Sequence, residues 1–526
     1  MRQVVSRAEW GAAGASTLLL IFSFPNFELY PLAWIALVPL LIAIAHRPSP
    51  LTAFILGWAT GSAFFYATCY WLTYSMIHYG GLPTLLAYLL LIPGAIVIGI
   101  FHGLFAWLVA LAIRKWGYIA LLLAPVFWTA LEWMRLGVTG QLWNALGYSQ
   151  AYHSFLIQTA TWGGVYAVSF LIVAINSIFA LLITRRNRWT IAASLLMVLA
   201  VGIVMLGSRY TGMLERSGSY GLGVKVVAVQ PNVPMKAVKS VDEMKELLDR
   251  HLSLSTSALN SLGDDTGPRL VIWPESPMNF TYGSDRNLQE LVANFTRQNR
   301  TSLLINSLEP APADGAYNSA LLINEQGRLI SQYDKIRLMP FGEYVPLPQW
   351  LPGASLITGL VGEFTPGNRY TLMPFGNSRA GVFICIESAY PWIARRMTSD
   401  GAHVLINISN DGYLGPTAVM RQHLANAIFR AVENGRPVLR VTNSGLSALI
   451  DENGRIRDLT GPFQTDVRVW TNYSLSRRNT FYTQHGDLFV QICTAMTLIV
   501  FIAILFSPRS GRRHKAWGAS PRSAFN

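Results

Sequence analysis

Apolar residues run almost without a break through the first two hundred positions. They then split into short alternating stretches and return in one last run near the end. A hydrocarbon core takes about 20 apolar residues per helix. On that measure the sequence predicts spans near 9–26, 31–46, 51–76, 83–113, 117–134, 155–184, 189–207 and 488–507. Arg47-Pro-Ser-Pro50 and Gly80-Gly-Leu-Pro83 separate the second, third and fourth, because Pro and Gly punctuate helices. No small-x-small cleavage motif follows the first span, so that span is expected to be retained and not removed as a signal peptide.

Between 208 and 485 the pattern is that of a water-facing domain in which short β-rich runs alternate with helical spacing. Val224 to Gln230, Leu270-Val-Ile-Trp-Pro-Glu275, Leu303 to Asn306 and His403 to Ser409 read as strands. Leu321 to Ile330 reads as a hairpin turning at Glu-Gln-Gly. Helices are predicted over 241–262 and 416–434, followed by strands at Val438 to Thr442 and Leu446 to Asp451 with a turn at Glu452-Asn-Gly454. This is an α/β layered domain around a sheet core. The chain therefore divides into a membrane bundle of about seven transmembrane helices (1–207), a globular domain (208–485), a final span (488–507) and a basic tail (508–526).

Composition agrees with this division. The 526 residues are 52% hydrophobic and 13% charged, against about 25% charged in soluble domains. The net charge of +13 suggests nucleic acid until it is located. Arg2 and Arg7, Arg47, Arg114 with Lys115, Arg185, Arg186 and Arg188, and the tail cations Arg509, Arg512, Arg513 and Lys515 all fall on one side of the eight predicted spans. That is the positive-inside pattern, so both termini are expected in the cytoplasm and the globular domain outside the inner membrane, on the periplasmic side. No nucleic-acid partner is expected. Glu132 and Arg135, with Trp143 and Tyr148 nearby, are expected at a membrane edge, as snorkelling anchors or as a headgroup contact.

Cys385 is the leading candidate for chemistry. The chain has three cysteines, too few for a disulfide framework. Cys69 and Cys493 lie within apolar runs, whereas Cys385 closes the strand-like run Gly381-Val-Phe-Ile-Cys385 just before a helical stretch from Ala389 to Met397. Glu275 closes another such run, and Lys335 lies in Tyr333-Asp-Lys-Ile-Arg-Leu-Met-Pro-Phe-Gly-Glu343. Strand ends gather at one sheet edge. There Glu275 can take the thiol proton, Lys335 can favour thiolate and steady an oxyanion, and the Ile386 amide can give a second oxyanion bond. His423 lies on an amphipathic helix and reads as a structural histidine. The nine histidines show no metal-ligand spacing, and no phosphate-binding glycine loop or dinucleotide fingerprint is present, so no cofactor or metal is expected.

Trp-Pro-Glu275, Tyr-Asp-Lys335 and Cys385-x-Glu387 resemble the Glu–Lys–Cys signature of the carbon–nitrogen hydrolase (nitrilase) superfamily. Seven spans, such a domain and one further span resemble its membrane branch, the apolipoprotein N-acyltransferase family. Further matching runs are Thr129-Ala-Leu-Glu-Trp-Met-Arg135, Leu146-Gly-Tyr-Ser149, Pro340-Phe-Gly-Glu-Tyr-Val-Pro346, Ser409-Asn-Asp411, Gln422-His423 and Arg430-Ala-Val-Glu-Asn-Gly-Arg436. The resemblance implies a multi-span helical bundle carrying an αββα sandwich. It implies ping-pong acyl transfer from a phospholipid donor, through a thioester on Cys385, to the N-terminal amine of a diacylglyceryl-cysteine apolipoprotein. Glu275, Lys335 and Cys385 are then catalytic. Glu343 would orient Lys335 or the amine, and Glu387 and Ile386 would support the thiol. Tyr344, Asn410 and Trp350 would contact substrate.

Membrane tethering suits such substrates, since extracting one long acyl chain from lipid costs on the order of 10 kcal/mol. The apolar, uncharged run 345–360 is expected to touch the bilayer and line the acyl entrance. The chain departs from the family pattern at three places. Ile386 replaces an aromatic, Asn410-Asp-Gly-Tyr-Leu-Gly415 replaces a Trp-Phe-containing run, and a Trp is missing from the stretch ending at Val238. Two other readings stay open: a membrane-tethered amidase with water as acceptor, and a non-enzymatic receptor or transporter.

Overall fold

The computed structural model describes residues 5–140, 142–214, 220–221, 224–235, 239–263, 267–312, 315–340, 342–344, 364–471, 473–476 and 478–506. Among them, six helices are long and apolar enough to cross a membrane: Pro50–Thr68, Thr84–Trp116, Tyr118–Thr139, Ala160–Thr184, Arg188–Gly207 and Leu488–Phe506. The first two expected spans are shorter. Arg7–Ser23 has 17 residues, starting at a Ser6/Glu9 capping box. The second is divided into the 3-10 turn Tyr30–Trp34 and the helix Val38–His46, each with a proline in its first turn, where the missing amide costs nothing.

The helices Pro50–Thr68 and Thr84–Trp116 pack most intimately, through Gly57 and Gly61 on one and Gly99 and Gly103 on the other. A Cβ on Gly57 would lie 2.4 Å from the His102 carbonyl oxygen, and one on Gly99 would lie 2.1 Å from Ser62 Oγ. Without a hydrophobic drive between helices in lipid, such small-xxx-small stripes let backbones approach and gain dispersion energy.

Two breaks in the bundle lie where the globular domain enters it. The expected span 51–76 stops at Thr68 and resumes as Leu72–His78. The Thr68 carbonyl accepts from Gln422 Nε2 at 2.9 Å. The helix Ala160–Thr184 is kinked at Gly163 and Gly164, with Gly164 at φ +64. A Cβ there would lie 2.9 Å from the Tyr482 ring. The kink turns the Val165 amide toward Glu433 Oε1, 3.0 Å away.

Glu132 and Arg135 are not edge anchors. Both are buried on the helix Ala124–Thr139. Glu132 accepts from Trp128 Nε1 at 2.9 Å and from the Leu146 amide at 2.8 Å, and Arg135 donates to the Trp143 carbonyl at 2.8 Å. Internal donors and acceptors replace water for both.

The globular domain holds two six-stranded sheets. The first runs Ile456–Leu459, Ala448–Ile450, Val438–Thr442, Val404–Ser409, Ser378–Ile384 and Leu372–Phe375, its three central strands parallel. The second runs Asp466–Trp470, Lys225–Gln230, Arg269–Ile272, Ser302–Pro310, Ala316–Ile323 and Leu329–Asp334, again parallel through the three strands beginning at 225, 269 and 302. Alternation sorts the faces. Val227, Val229, Val271, Leu303 and Ile305 pack under the helices Val241–Ser261 and Arg286–Asn299, while Val226, Ala228, Leu270, Ile272 and Leu304 join the core shared with the first sheet. Gln230 ties the sheets at one end, its Oε1 accepting from Ser447 Oγ at 2.7 Å and Thr460 Oγ1 at 2.8 Å.

The helix Val419–Asn434 lies between the first sheet and the bundle. Apart from Arg421 it is buried along its whole length, polar residues included. Arg430 Nη2 donates to Glu433 Oε1 at 2.8 Å and Arg430 Nη1 to the Ser388 carbonyl at 3.0 Å. Neither side chain of this pair is exposed. Removing one partner of a buried pair strands the other's charge. Glu433→Ala is therefore expected to destabilise the full-length protein by about 3–5 kcal/mol, read as a lower thermal unfolding midpoint in detergent. An unchanged midpoint would mean that the pair does not lock the domain to the bundle.

Candidate active site

The strand Ser378–Ile384 ends at Cys385, Val404–Ser409 ends at Asn410, and Arg269–Ile272 ends just before Glu275. Glu275 lies beyond its strand, which stops at Ile272 and not at the carboxylate. Lys335 follows the strand Leu329–Asp334. The layered sheets thus bring these ends to one edge, the place where α/β folds build sites.

Lys335 is almost completely buried, at 1% exposure. Its Nζ lies 2.8 Å from Glu343 Oε1 and 3.4 Å from Glu275 Oε1. Burial opposes its charge, but Glu275 and then Glu343 more than compensate, holding its proton affinity well above that of an ordinary lysine. Asn318 joins the two carboxylates, its Nδ2 donating to Glu275 Oε1 at 2.9 Å and to Glu343 Oε1 at 2.8 Å. Asn306 holds Asn318 in turn, donating to its Oδ1 at 2.7 Å. The far oxygens are held by main chain: Glu275 Oε2 accepts from the Asn410 amide at 3.1 Å, and Glu343 Oε2 from the Met339 amide at 2.7 Å. Glu343 is thus in direct contact with Lys335.

Cys385 is half-buried and is the first residue of a one-turn 3-10 helix, Cys385–Ala389. Its backbone is left-handed, at φ +51, a conformation that costs a non-glycine residue about 1–3 kcal/mol and persists only where neighbours enforce it. Two of them do so. His423 Nε2 donates to the Cys385 carbonyl at 2.9 Å; a carbonyl can only accept, so the hydrogen lies on Nε2. On the preceding residue, the Ile384 amide donates to Glu387 Oε2 at 2.7 Å. Burial, and then the Glu275 carboxylate, push the Cys385 thiol well above its ordinary range, with Lys335 pulling the other way and losing. The resting sulfur keeps its proton. Lys335 favours the thiolate, as the sequence expects, but burial and Glu275 outweigh it.

Glu387 supports the turn of Cys385 through its own partners. Its carboxylate accepts from the Ile336 amide at 2.7 Å, the Arg337 amide at 3.0 Å and the Tyr333 hydroxyl at 2.8 Å. It staples the loop after Lys335 to the turn carrying Cys385. Burial raises it to about 7, with the Ile384 and Arg337 amides holding it from rising further. Ile386 is buried at the start of the turn, where first-turn amides have no carbonyl within the helix. Asn410 meets the site through its amide, while its side chain bonds Gly412 and Asn443. Tyr344 is 39% exposed. Trp350 and the 345–360 arm lie outside the described residues, as does Val238.

His423 faces a main-chain carbonyl and Asp411 Oδ1, the latter at 2.8 Å, and so is no base for the thiol. Asp411 also pairs with Arg440 at 2.8 Å. Despite burial, Arg440 and His423 hold the Asp411 carboxyl well below the usual range. Asn306 and Asn318 were not singled out from sequence, although a polar amide inside an apolar strand is itself a signal. Asn318→Ala should leave the two carboxylates and Lys335 misplaced and lower turnover about 100-fold, with a stability loss within about 1–3 kcal/mol. Steady-state kinetics beside thermal unfolding checks this; wild-type turnover would contradict it.

Comparison with known proteins gives the family. Residues 16–178 match the apolipoprotein N-acyltransferase N-terminal domain and residues 225–471 the carbon-nitrogen hydrolase domain. An apolipoprotein N-acyltransferase of Geobacter metallireducens is 32% identical over 96% of this chain and 97% of its own. One from Allorhizobium ampelinum is 31% identical over 77% of each. Among solved structures, an amidase from Nesterenkonia sp. superposes with a TM-score of 0.38 at 16% identity, covering 52% of this chain and 97% of that one. With two domain matches in series and a relative aligned end to end, the chain belongs to the apolipoprotein N-acyltransferase family.

Proposed function

We propose that the protein transfers an acyl chain from a phospholipid, through a thioester on Cys385, to the N-terminal amine of diacylglyceryl-cysteine in apolipoproteins. The observation that carries this reading is the buried Glu275–Lys335–Glu343 cluster, whose charge acts on Cys385, in a chain aligned along its length with an apolipoprotein N-acyltransferase.

In the donor half-reaction Glu275 takes the Sγ proton as the sulfur attacks the ester carbonyl. Lys335 Nζ and the Ile386 amide stabilise the oxyanion. The carbon–oxygen bond to glycerol breaks, the departing oxygen takes the proton back from Glu275, and lysophospholipid leaves. In the acceptor half-reaction Glu275 takes a proton from the attacking amine, the carbon–nitrogen bond forms as the carbon–sulfur bond breaks, and Glu275 returns the proton to the departing sulfur, leaving the amide and the Cys385 thiol. Glu343 keeps Lys335 oriented throughout. Substrate contact is assigned to Tyr344, Asn410 and Trp350.

We also place the catalytic domain, 208–485, on the periplasmic side of a bacterial inner membrane, between the 1–207 bundle and the 488–507 span. The one-sided cations at Arg47, Arg114, Lys115, Arg185, Arg186 and Arg188 support this orientation.

Intact-mass measurement tests the chemistry. Full-length enzyme mixed with phospholipid should gain the mass of one fatty-acyl group, and Cys385→Ala should gain none. Adding a diacylglyceryl-cysteine peptide should move that group to the peptide. Release as free fatty acid with no acylated peptide would make the protein a hydrolase, and an adduct on Cys385→Ala would remove the cysteine from the mechanism.

A further inference from the structure

Gln422 is a polar side chain of the globular domain that is fully engaged by the membrane bundle. Its Oε1 accepts from Trp71 Nε1 at 2.9 Å and from Trp143 Nε1 at 2.8 Å. Its Nε2 donates to the Thr68 carbonyl at 2.9 Å and to the Pro25 carbonyl at 3.3 Å. A primary amide has two donor hydrogens and one acceptor oxygen with two lone pairs, so all four capacities are used, each by a different residue of the bundle. The side chain is 4% exposed.

The next residue is His423, 3% exposed. It reaches the opposite way, from the helix Val419–Asn434 to the carbonyl of Cys385. Asp411 fixes its other nitrogen, Arg440 fixes Asp411, and the Trp143 ring lies 5.8 Å from the imidazole. The donor to the Cys385 carbonyl is therefore held from two sides, by the catalytic sheet and by the bundle. The residue it grips is the one whose left-handed φ of +51 needs an external hold.

We propose that Gln422 and His423 are positioning residues through which the membrane bundle sets the turn that aims the Cys385 sulfur. The proposal rests on Cys385 being the nucleophile and goes beyond that reading: the transmembrane part is a component of the catalytic geometry and not an anchor alone. A turn released from this hold relaxes toward ordinary backbone and moves the sulfur relative to Glu275 and Lys335. Displacement of about 1 Å costs about 100-fold in rate. The proposal assigns Gln422 and His423 no part in binding phospholipid.

The test is single-turnover thioester formation by full-length enzyme in nanodiscs containing phospholipid, followed by intact mass, with wild type, His423→Ala, His423→Gln, Gln422→Ala and the double variant Trp71→Phe/Trp143→Phe. The rate at saturating donor should fall at least about tenfold in His423→Ala and Gln422→Ala, and about threefold or more in the tryptophan pair, while the half-saturating donor concentration changes less than about twofold. His423→Gln keeps an N–H for the carbonyl and should recover most of the lost rate. Folded His423→Ala or Gln422→Ala with wild-type rates overturns the proposal, as does a loss confined to half-saturation. If either alanine variant fails to fold, the tryptophan pair decides, since it alters only the bundle: a wild-type rate there overturns the proposal. Wild type that forms no adduct fails the nucleophile reading and this proposal with it.

Discussion

The ammonium of Lys335 can be charged inside the protein only because Glu275 and Glu343 stand beside it, and much of the architecture serves that arrangement. Desolvating such a group alone costs several kcal/mol. Here one carboxylate sits at 2.8 Å and the other at 3.4 Å, and the far oxygen of each is taken by a main-chain amide, of Asn410 for Glu275 and of Met339 for Glu343. Asn318 supplies the remaining donors from a neighbouring strand. Three strand ends from two sheets must therefore register correctly for a single lysine to be paid for.

That cluster carries one positive and two negative charges before the sulfur is considered. Burial of the sulfur first, and then the third negative charge that a thiolate would add beside Glu275, keep Cys385 a thiol at rest. Resting neutrality suits an enzyme of acyl transfer. In the proposed reaction, proton and charge move only when an ester carbonyl is present to receive the sulfur, with Glu275 taking the proton. Lys335 then meets an oxyanion while Glu275 is neutral, so the total charge of the site is the same before and during attack. The turn bearing the sulfur is strained, and its supports come from both directions: Glu387 staples it to the Lys335 loop, and His423 ties it to a helix that the bundle clamps through Gln422 and Glu433.

The central strands, the hairpin at 321–330, the helix after Ala160 and the positions of Glu275, Lys335 and Cys385 beyond strand ends were legible in the sequence, because each has a local signature: period-two alternation, an unbroken apolar run, or a polar group closing one; the edge strands Leu372–Phe375, Ile456–Leu459 and Asp466–Trp470 were not. What was not legible depends on contacts between distant segments. The break after Thr68 and the kink at Gly163–Gly164 interrupt long apolar runs, and the groups that bond the backbone freed there, Gln422 and Glu433, lie more than two hundred residues away. The helix Val419–Asn434 carries Gln422, Asn426, Arg430 and Glu433, a pattern that reads as a solvated face, yet that face meets the bundle and each of Gln422, Arg430 and Glu433 finds partners there. Glu132 and Arg135 misled in the same way: charges near a span's end usually reach for water, and these are answered internally by Trp128, Leu146 and Trp143. The state of the sulfur followed neither from its flanking residues nor from Lys335, since it depends on how many carboxylates the fold gathers.

The central claim is that Cys385 is protonated at rest because burial and the Glu275 carboxylate together outweigh the pull of Lys335. The pH dependence of its alkylation by iodoacetamide, followed by mass on full-length enzyme without lipid substrate, tests this most directly. Thiolate is the reacting form, so the rate should rise about tenfold per pH unit from about pH 7 to pH 10 with no plateau. A rate that levels off below about pH 8 would show a sulfur already ionised at rest and would contradict the account.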